Sequence, residues 1–320
     1  MNAFGRPSRL SRRQFVRLLA ATGVGAALVS CGAQGSATGQ ENRREVPAPS
    51  GDQAYLAVAR GTDPKTITAA ALAAIGGIER FVKSGDEVIV KPNICVDYRT
   101  YEYGATTNPD VVAALVELCL GAGARRVRVM DTPFAGSPEN AYAQSGIATA
   151  VKSAGGVMEI MNPAKFRETS IPGGRDITRW AVYQDLLTAN VVINVPVAKH
   201  HNLARLALGG KNLLGVAADP NQLHVNLGQR VADLASLLRP TLSVVDAVRT
   251  LVAHGPTGGN LGDVRLTNTV IASHDLVAAD AYAATLFGLT GADIPYVKAA
   301  AEMGLGTLDL RAITIKELAV

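Results

Sequence analysis

The stretch from Val191 to Gly215, VVINVPVAKHHNLARLALGGKNLLG, constrains the fold of this chain most. Its β-branched beginning predicts a buried strand, which Pro196 ends or bulges. A polar cluster follows that a core does not need: Lys199, His200, His201, Asn202, Arg205, Lys211 and Asn212. Open α/β sheets bind ligands beyond the carboxyl ends of their strands, so the stretch predicts a binding site. The alternative is a solvated loop after an ordinary strand.

Strand-like and helix-like segments alternate along the rest of the chain. Strands are predicted at 54–59, 87–90, 127–130, 157–161, 242–245, 264–272 and 313–315, with helices between most of them. This alternation predicts an α/β fold, a mostly parallel, helix-covered sheet in a single large domain. A small hairpin excursion is expected near 163–180, where Pro172-Gly173-Gly174 marks a turn. Because 48% of the residues are hydrophobic but only 5% are aromatic, the core must be mainly aliphatic.

The first residues predict an export signal. Arg12-Arg13 is typical of a twin-arginine motif, an apolar stretch follows, and Leu28-Val29-Ser30-Cys31 resembles a lipoprotein processing box. We predict a signal over residues 1–31 with lipidation of Cys31, a flexible tether over 32–53 and the α/β domain over 54–320. The expected location is extracytoplasmic, in the periplasm or at the cell surface, with the export machinery and the membrane as partners. A simple signal peptide cut near Ala33 is the alternative.

Charge and cysteine content exclude two classes of function. The net charge of +4 comes from five arginines in residues 1–30, without which 26 basic residues face 27 acidic ones. A nucleic-acid partner is therefore not expected. Three cysteines without any Cys-x-x-Cys spacing are too few for a four-cysteine cluster or zinc module, so an iron–sulfur cluster within this chain is not expected.

Several short motifs together resemble one family. They are Val88 to Asn93, Thr106 to Pro109, Asp131, Asn194 to His200, Gly210 to Gly215, His224, Asp246, Gly255 to Gly259, Ser273 to Asp275, and Asp280. As a set, spread over Ala54 to Leu308, they resemble the DUF362 family, a domain of unknown function. Some of its members carry ferredoxin-type cluster motifs, which this chain lacks. The resemblance implies no reaction, so the chemistry has to be inferred from residues.

Basic and acidic residues at the predicted strand ends suggest a site for a small anion, a phosphate or carboxylate. The catalytic candidates are Lys199, His200 and Lys211, and the ligand-binding candidates are Lys91, Asn93, Thr107, Asp131, Asn212, Asp246 and Gly258. A partly desolvated lysine among other cations has a lowered pKa and can act as a base or nucleophile. The alternative is that Lys91 and Lys199 form structural ion pairs with Asp131 and Asp246.

The path between Lys199 and Lys211 decides whether the two lysines meet. We expect about two turns of helix that return through Gly209-Gly210 and bring both ammonium groups over the strand end, where their repulsion favours a bound anion. His200 serves this site only if the chain turns at Ala198 or Lys199, since neighbours on a strand point to opposite faces. Asp280, in an apolar helix, is expected to brace the site loop from behind.

A divalent metal is a second candidate ligand. His200, His201, His224 and Asp246 could supply nitrogen and oxygen ligands, and His200, His224 and Asp246 are the set selected. No two histidines show the i, i+4 spacing of a helical metal site, so each can equally be a hydrogen-bonded or surface histidine. Phosphate-loop, dinucleotide and nucleophile-elbow glycine motifs are absent from the sequence.

Together these features predict an exported, lipid-anchored protein that binds a small anion at strand ends. Two alternatives remain open from the sequence: a non-catalytic binding lipoprotein, and an accessory protein of an extracytoplasmic redox complex.

Overall fold

The computed structural model of the protein describes residues 46, 48–51 and 53–320. The predicted signal over 1–31 and most of the predicted tether over 32–53 lie outside these residues. Within the part of the chain that is described, no helix is both long enough and apolar enough to cross a membrane.

A mostly parallel sheet forms the centre of the structure and confirms the predicted fold class. The strands are β1 (Leu56–Arg60), β2 (Glu87–Pro92), β3 (Arg126–Val129), β4 (Val157–Met158), β5 (Phe166–Ser170), β6 (Arg179–Tyr183), β7 (Val191–Val195), β8 (Val197–His201), β9 (Arg205–Ala207), β10 (Leu242–Leu251), β11 (Val264–Ser273) and β12 (Ile315–Ala319). The main sheet has the order β12-β1-β11-β10-β7-β2-β3-β4, while β8 pairs with both β10 and β9. Along the main path every pair is parallel except those of β11, which is antiparallel to β1 and β10.

Helices cover both faces of this sheet. They are α1 (Pro64–Ala74), α2 (Pro109–Gly121), α3 (Pro138–Gln144), α4 (Ile147–Ser153), α5 (Gln184–Thr188), α6 (Gly209–Asn212), α7 (Leu227–Leu238), α8 (Leu276–Thr285) and α9 (Pro295–Glu302). Val191 and Ile193 of β7 pack into one hydrophobic core and Val192 into the other. A strand that is apolar on both sides is therefore buried on both sides, as expected for a helix-covered parallel sheet.

Two local predictions concern the edges of the fold. The hairpin excursion exists: β5 and β6 pair antiparallel in a separate two-stranded sheet, with Thr169 opposite Trp180. A last edge strand exists beside β1, but β12 runs from Ile315 to Ala319 and shares only Ile315 with the predicted 313–315.

Strand β10 differs from its prediction. The sequence predicts a strand over 242–245 that ends at Asp246, but β10 continues to Leu251 with a register shift between Ala247 and Arg249. β7 ends before Pro196, and β8 takes over as the parallel neighbour of β10. Because β10 keeps partners on both sides, Asp246 lies in the middle of a strand rather than at its carboxyl end.

Candidate functional site

A cavity of about 190 Å³ lies at the carboxyl ends of β2, β3 and β7. Its polar lining consists of Asn93, Cys95, Asp131, Thr132, Lys199, His201, Lys211, Asn212, Asn221 and His224. The structure thus brings together Asn93, Asp131 and Lys199 from three different strands, as the parallel topology requires. The cavity is the position at which an open α/β sheet binds its ligand.

Strand β8 determines which side chains reach this cavity. The strand is extended, and alternate residues Val197, Lys199 and His201 line the cavity. His200 lies on the other side of the strand, where its Nδ1 accepts the N–H of Gly255 at 3.2 Å. The chain does not turn at Lys199, so the assignment of His200 to the site is corrected. His201, which belongs to the predicted polar cluster but is not among the catalytic candidates, lines the cavity instead.

The segment from Lys199 to Lys211 forms a hairpin, not the expected two turns of helix. β9 pairs antiparallel with β8, so that Lys199 lies opposite Ala207. Arg205 adopts a left-handed φ of 63° at the start of β9. The chain then enters the short helix α6, which carries Lys211. Both lysines line the same cavity although the connection between them differs from the expected one.

The hydrogen bonds of His201 fix its protonation state. Its Nδ1 accepts the backbone N–H groups of Leu203 at 3.1 Å and Ala204 at 3.2 Å, so this nitrogen carries no proton. Burial and the nearby charges of Lys211 and Lys199 lower the pKa of His201 to about 3. The ring is therefore neutral near pH 7, and its Nε2–H is a hydrogen-bond donor.

His224 complements His201 across a ring separation of 6.3 Å. Its Nδ1 lies 3.0 Å from the carbonyl oxygen of Pro220, to which it can only donate. Burial and the charge of Lys211 lower the pKa of His224 as well. The neutral ring presents Nε2 as an acceptor. His201 therefore offers the cavity a hydrogen-bond donor, and His224 offers it an acceptor.

The ammonium group of Lys199 is buried without a carboxylate partner. Its Nζ donates to the carbonyl oxygen of Ala105 at 2.6 Å and is within hydrogen-bonding reach of the Cys95 thiol. In the described ranges no Asp or Glu oxygen lies within 4.0 Å of this nitrogen. Burial lowers the pKa of Lys199, because a charge removed from water is destabilised unless an opposite charge replaces the water.

Lys211 is the second cation of the cavity and is partly buried. Over the residues that the structure describes, its Nζ has no ion-pair partner within 4.0 Å. Burial, reinforced by the charge of Lys199, lowers the pKa of Lys211 to about 8. A base with this pKa keeps on the order of a tenth of its amine neutral at pH 7, which suits proton transfer.

Lys91 differs from Lys199 and Lys211. The sequence predicts it as a ligand-binding residue, but the structure gives it a structural role. Its fully buried Nζ donates to Asp131 Oδ1 at 2.7 Å, to the carbonyl oxygen of Pro92 at 3.0 Å and to Asn212 Oδ1 at 3.1 Å. Asp131 Oδ2 accepts the N–H of Ile94 at 2.7 Å. Burial acts to lower the pKa of Lys91, and the adjacent carboxylate opposes that shift.

Asn212 connects this ion pair to the cavity loop. Besides accepting from Lys91, its Nδ2 donates to Asn194 Oδ1 at 2.9 Å and to the carbonyl oxygen of Lys91 at 3.2 Å. Asn194 in turn donates to the carbonyl oxygen of Gly209 at 3.0 Å. Asn212 lines the cavity, but these bonds occupy its amide, so its main effect is to fix α6.

Asp280 braces the loop from behind, as the sequence interpretation expects. Its two carboxylate oxygens accept the N–H groups of Gly209 at 2.7 Å and Gly210 at 2.8 Å. Burial raises the pKa of Asp280 to about 7. A Cβ at Gly209 would lie 2.5 Å from Leu276 Cδ1 and 2.7 Å from Asp280 Oδ1, so the close approach requires glycine.

Thr107 and Gly258, two further ligand candidates, do not line the cavity. The Thr107 hydroxyl accepts the N–H of Asn93 at 2.8 Å and donates to the carbonyl oxygen of Val195 at 2.8 Å. It therefore ties the ends of β2 and β7 together. Gly258, with a φ of 61°, packs beside Leu251. Both residues support the fold around the cavity rather than contact its contents.

Comparison with known proteins places this site in a family. Residues 88–285 match the family described as Domain of unknown function (DUF362). The chain belongs to the DUF362 family. It is similar to the Thylakoid-associated protein sll1697 of Synechocystis sp., with 29% identity over 249 residues that cover 72% of each protein.

Among solved structures, the lactate racemase apoprotein from Thermoanaerobacterium thermosaccharolyticum is similar to the DUF362 chain with a TM-score of 0.43 and 10% identity. The similarity covers 73% of this chain and 57% of that one.

The three metal ligands predicted for this DUF362 chain do not come together. His200 faces away from the cavity, and the buried Asp246 accepts the N–H groups of Asn108 at 2.7 Å and Val248 at 2.9 Å. Burial raises the pKa of Asp246 to about 6. Within the described residues no group of three or more His, Cys, Asp or Glu side chains could hold a metal ion. The prediction that His200, His224 and Asp246 together bind a metal is therefore wrong.

The sequence interpretation also missed the apolar wall of the DUF362 cavity. Its members are Pro133, Phe134, Pro196, Val197, Leu208, Leu214, Ala217, Pro220 and Pro256. Phe134 follows β3 by five residues and is 67% exposed. The Pro133-Phe134 pair directly after the Asp131-Thr132 strand end is the sequence signal that could have indicated this wall.

Proposed function

We propose that this DUF362 protein binds a small organic anion, a phosphate or carboxylate, between Lys199 and Lys211. Charge balance is the observation that supports this proposal. Both ammonium groups line one cavity, and no carboxylate of the described chain lies within ion-pair distance of either. Two like charges in a desolvated site repel each other, and an anion between them would remove that repulsion.

The remaining groups of the cavity fit the same ligand. The Nε2–H of His201 is a neutral donor beside the two cations, which suits an anionic oxygen. Asn93 and Thr132 add neutral polar groups to the lining. Lys199 and Lys211 are thus the proposed binding pair, and both bind the anion in their protonated forms.

Binding measurements on lysine variants test this proposal. Lys199→Met and Lys211→Met should each weaken sulfate or phosphate binding about 10- to 100-fold, as expected for loss of a hydrogen bond to a charged group. Lys298→Met is the matched control, because Lys298 lies on α9 outside the cavity lining. Isothermal titration calorimetry gives the affinities, and thermal melting shows whether the variants fold.

Two results would contradict the proposal. One is unaltered anion affinity in both variants. The other is a large loss of thermal stability in both variants while the anion affinity of the protein that remains folded is unchanged. That result would make the two lysines structural residues. A ligand recovered unchanged from the protein after long incubation would identify a binding protein rather than an enzyme.

We also propose that the protein is exported and anchored to a membrane through lipidated Cys31. Arg12-Arg13 and Leu28-Val29-Ser30-Cys31 support this, although they lie outside the described residues. The similar Synechocystis protein is described as thylakoid-associated, which is compatible with a membrane location. Replacing both arginines with lysine should block export, and Cys31→Ala should abolish labelling by fatty acid. Fatty-acid labelling of Cys31→Ala would show that the lipoprotein assignment is wrong.

A further inference from the structure

The cavity that holds the proposed anion site has two chemically different sides. Lys199, Lys211 and His201 form its cationic and donor side. Proline and leucine side chains and the ring of Phe134 form much of the remaining lining, here called the apolar side. An inorganic anion would use the first side and leave the second side exposed to water, which is unfavourable for apolar surface.

Phe134 marks the open end of the apolar side. Its backbone N–H donates to the carbonyl oxygen of Cys95 at 2.8 Å, so its position in the loop is fixed. Its side chain nevertheless remains 67% exposed while lining the cavity. A ring held in this way gains free energy when an apolar group covers it.

The apolar side is a rigid extension of the core. Leu208 and Leu214 both belong to the hydrophobic core under the sheet, and both line the cavity. The N–H of Leu208 donates to the Tyr296 hydroxyl at 3.1 Å, which fixes the backbone just before α6. The wall beside Lys211 is therefore preformed rather than assembled on binding.

The volume of the cavity exceeds what a simple anion needs. It measures about 190 Å³. An apolar cavity of about 150 Å³ is enough to hold a benzene molecule. Any hydroxyl group of a polar body that meets the proline and leucine side chains would lack a partner there, which costs free energy for each unpaired group.

We propose that the natural ligand is an amphipathic organic anion. Its phosphate or carboxylate lies between Lys199 and Lys211, and an apolar body of aromatic or branched aliphatic character lies against Phe134 and Leu214. This inference rests on the proposed anion-binding function of the same cavity and names the class of molecule that fills it.

Two homologous series of ligands test the inference on the full-length protein. One series is inorganic phosphate, methyl phosphate, n-butyl phosphate and phenyl phosphate, and the other is acetate, butyrate and phenylacetate. Affinity should rise about three- to fourfold for each added methylene, and by tenfold or more for a phenyl group, as apolar surface leaves water. The measurement is isothermal titration calorimetry at constant pH and ionic strength.

A pair of surface variants places the apolar body. Phe134→Ala should reduce the gain for the phenyl ligands about three- to tenfold and leave inorganic phosphate and acetate unaffected. Leu203→Ala is the matched control, because Leu203 is 66% exposed but lies outside the cavity lining. Neither side chain contributes much to the core, so both variants should fold.

The outcomes separate this inference from the proposed function. If phosphate or acetate binds and longer ligands bind no more tightly, the amphipathic ligand is wrong while the anion site stands. If neither simple anion nor any longer ligand binds, the proposed function itself is wrong. A phenyl gain that Phe134→Ala leaves intact would overturn the placement of the apolar body.

Discussion

Lys91 and Lys199 are both buried lysines at the same end of one sheet, yet their surroundings differ in kind. The ammonium of Lys91 has three oxygen acceptors, one of them the Asp131 carboxylate. Lys199 has a carbonyl oxygen and a thiol beside it, and no carboxylate of the described residues within ion-pair distance. Burial alone therefore does not identify a ligand-binding lysine. What separates the two is whether the protein itself supplies the compensating charge.

The difference follows from position along the strands. Lys91 lies within β2, beside β3, and Asp131 follows β3 closely enough to meet it. Lys199 lies on β8, which begins only after Pro196 and projects beyond the end of β7. Its side chain enters the cavity instead of the space between strands. The first lysine holds the sheet end together, and the second is available to a ligand.

Replacement of Lys91, the lysine that has a counter-ion, should have the greatest effect on stability. Lys91→Met should lower the free energy of unfolding by about 3–5 kcal/mol, because Asp131 is left buried without its counter-ion. Lys199→Met removes an uncompensated charge and should change it by less than about 1 kcal/mol. Urea denaturation followed by circular dichroism measures both values. Equal losses in the two variants would erase the distinction between them.

Asp280→Ala should lower both the stability of the protein and its affinity for an anion. It strands the N–H groups of Gly209 and Gly210, so the free energy of unfolding should fall by about 1–3 kcal/mol. It also releases α6, and sulfate affinity should fall because Lys211 loses its fixed position. Asp280→Asn, which keeps one oxygen acceptor, is the control. Its free energy of unfolding and its sulfate affinity should lie between those of the wild-type protein and Asp280→Ala. Unchanged sulfate binding in a folded Asp280→Ala variant would show that α6 needs no brace.

The pH dependence of binding tests the charge on Lys211. Its pKa of about 8 lies below the ordinary lysine value of 10.5, so the free protein loses this cation as pH rises through about 8. Sulfate, whose charge stays constant in this range, should then bind about tenfold more weakly. A bound anion favours the protonated amine, so the transition in the complex should lie at higher pH. Lys211→Arg stays charged at these pH values, so its sulfate affinity should not fall near pH 8. If the affinity of the wild-type protein does not change with pH in this range either, Lys211 is not the titrating cation of the site.

The smallest expected effect concerns the alternation along β8. His201→Asn keeps a side-chain acceptor for the N–H groups of Leu203 and Ala204 but loses the donor at Nε2. Anion affinity should fall about two- to tenfold, as for one neutral hydrogen bond. His200→Asn is the matched control and should leave affinity unaltered. A larger loss in His200→Asn than in His201→Asn would mean that β8 presents its other face to the ligand.

Much of the fold could be predicted because its elements carry local patterns. The apolar runs at 88–90 and 191–193 and the alternation of strands with helices indicate a covered parallel sheet. The antiparallel placement of β11 and the extension of β10 to Leu251 carry no such pattern. They depend on which strands become neighbours, and pairing partners distant in sequence leave little trace in the local composition.

The site was predicted in part, for a related reason. The position of Lys199 and Lys211 after a buried strand indicates a shared site, and both line one cavity. The sequence does not show that the chain stays extended through Lys199, and in an extended chain two-residue alternation places His201, not His200, beside Lys199 in the cavity. Lys91 and Lys199 both follow valine-rich segments, so the sequence does not show that only Lys91 has a carboxylate opposite it. That distinction depends on the relative positions of β2 and β3.

The two-residue alternation of β8 also has a consequence for how this cavity can change over evolutionary time. Point substitutions alter its contents one group at a time. A single-residue deletion early in β8, before Ala198, would shift every later residue of the strand to the opposite face. The cavity would then receive the imidazole of His200 in place of the Lys199 ammonium, and the amide of Asn202 in place of the His201 imidazole. Insertions and deletions in β8 should therefore be far less tolerated than substitutions. The length of this segment should vary less than the identity of its residues.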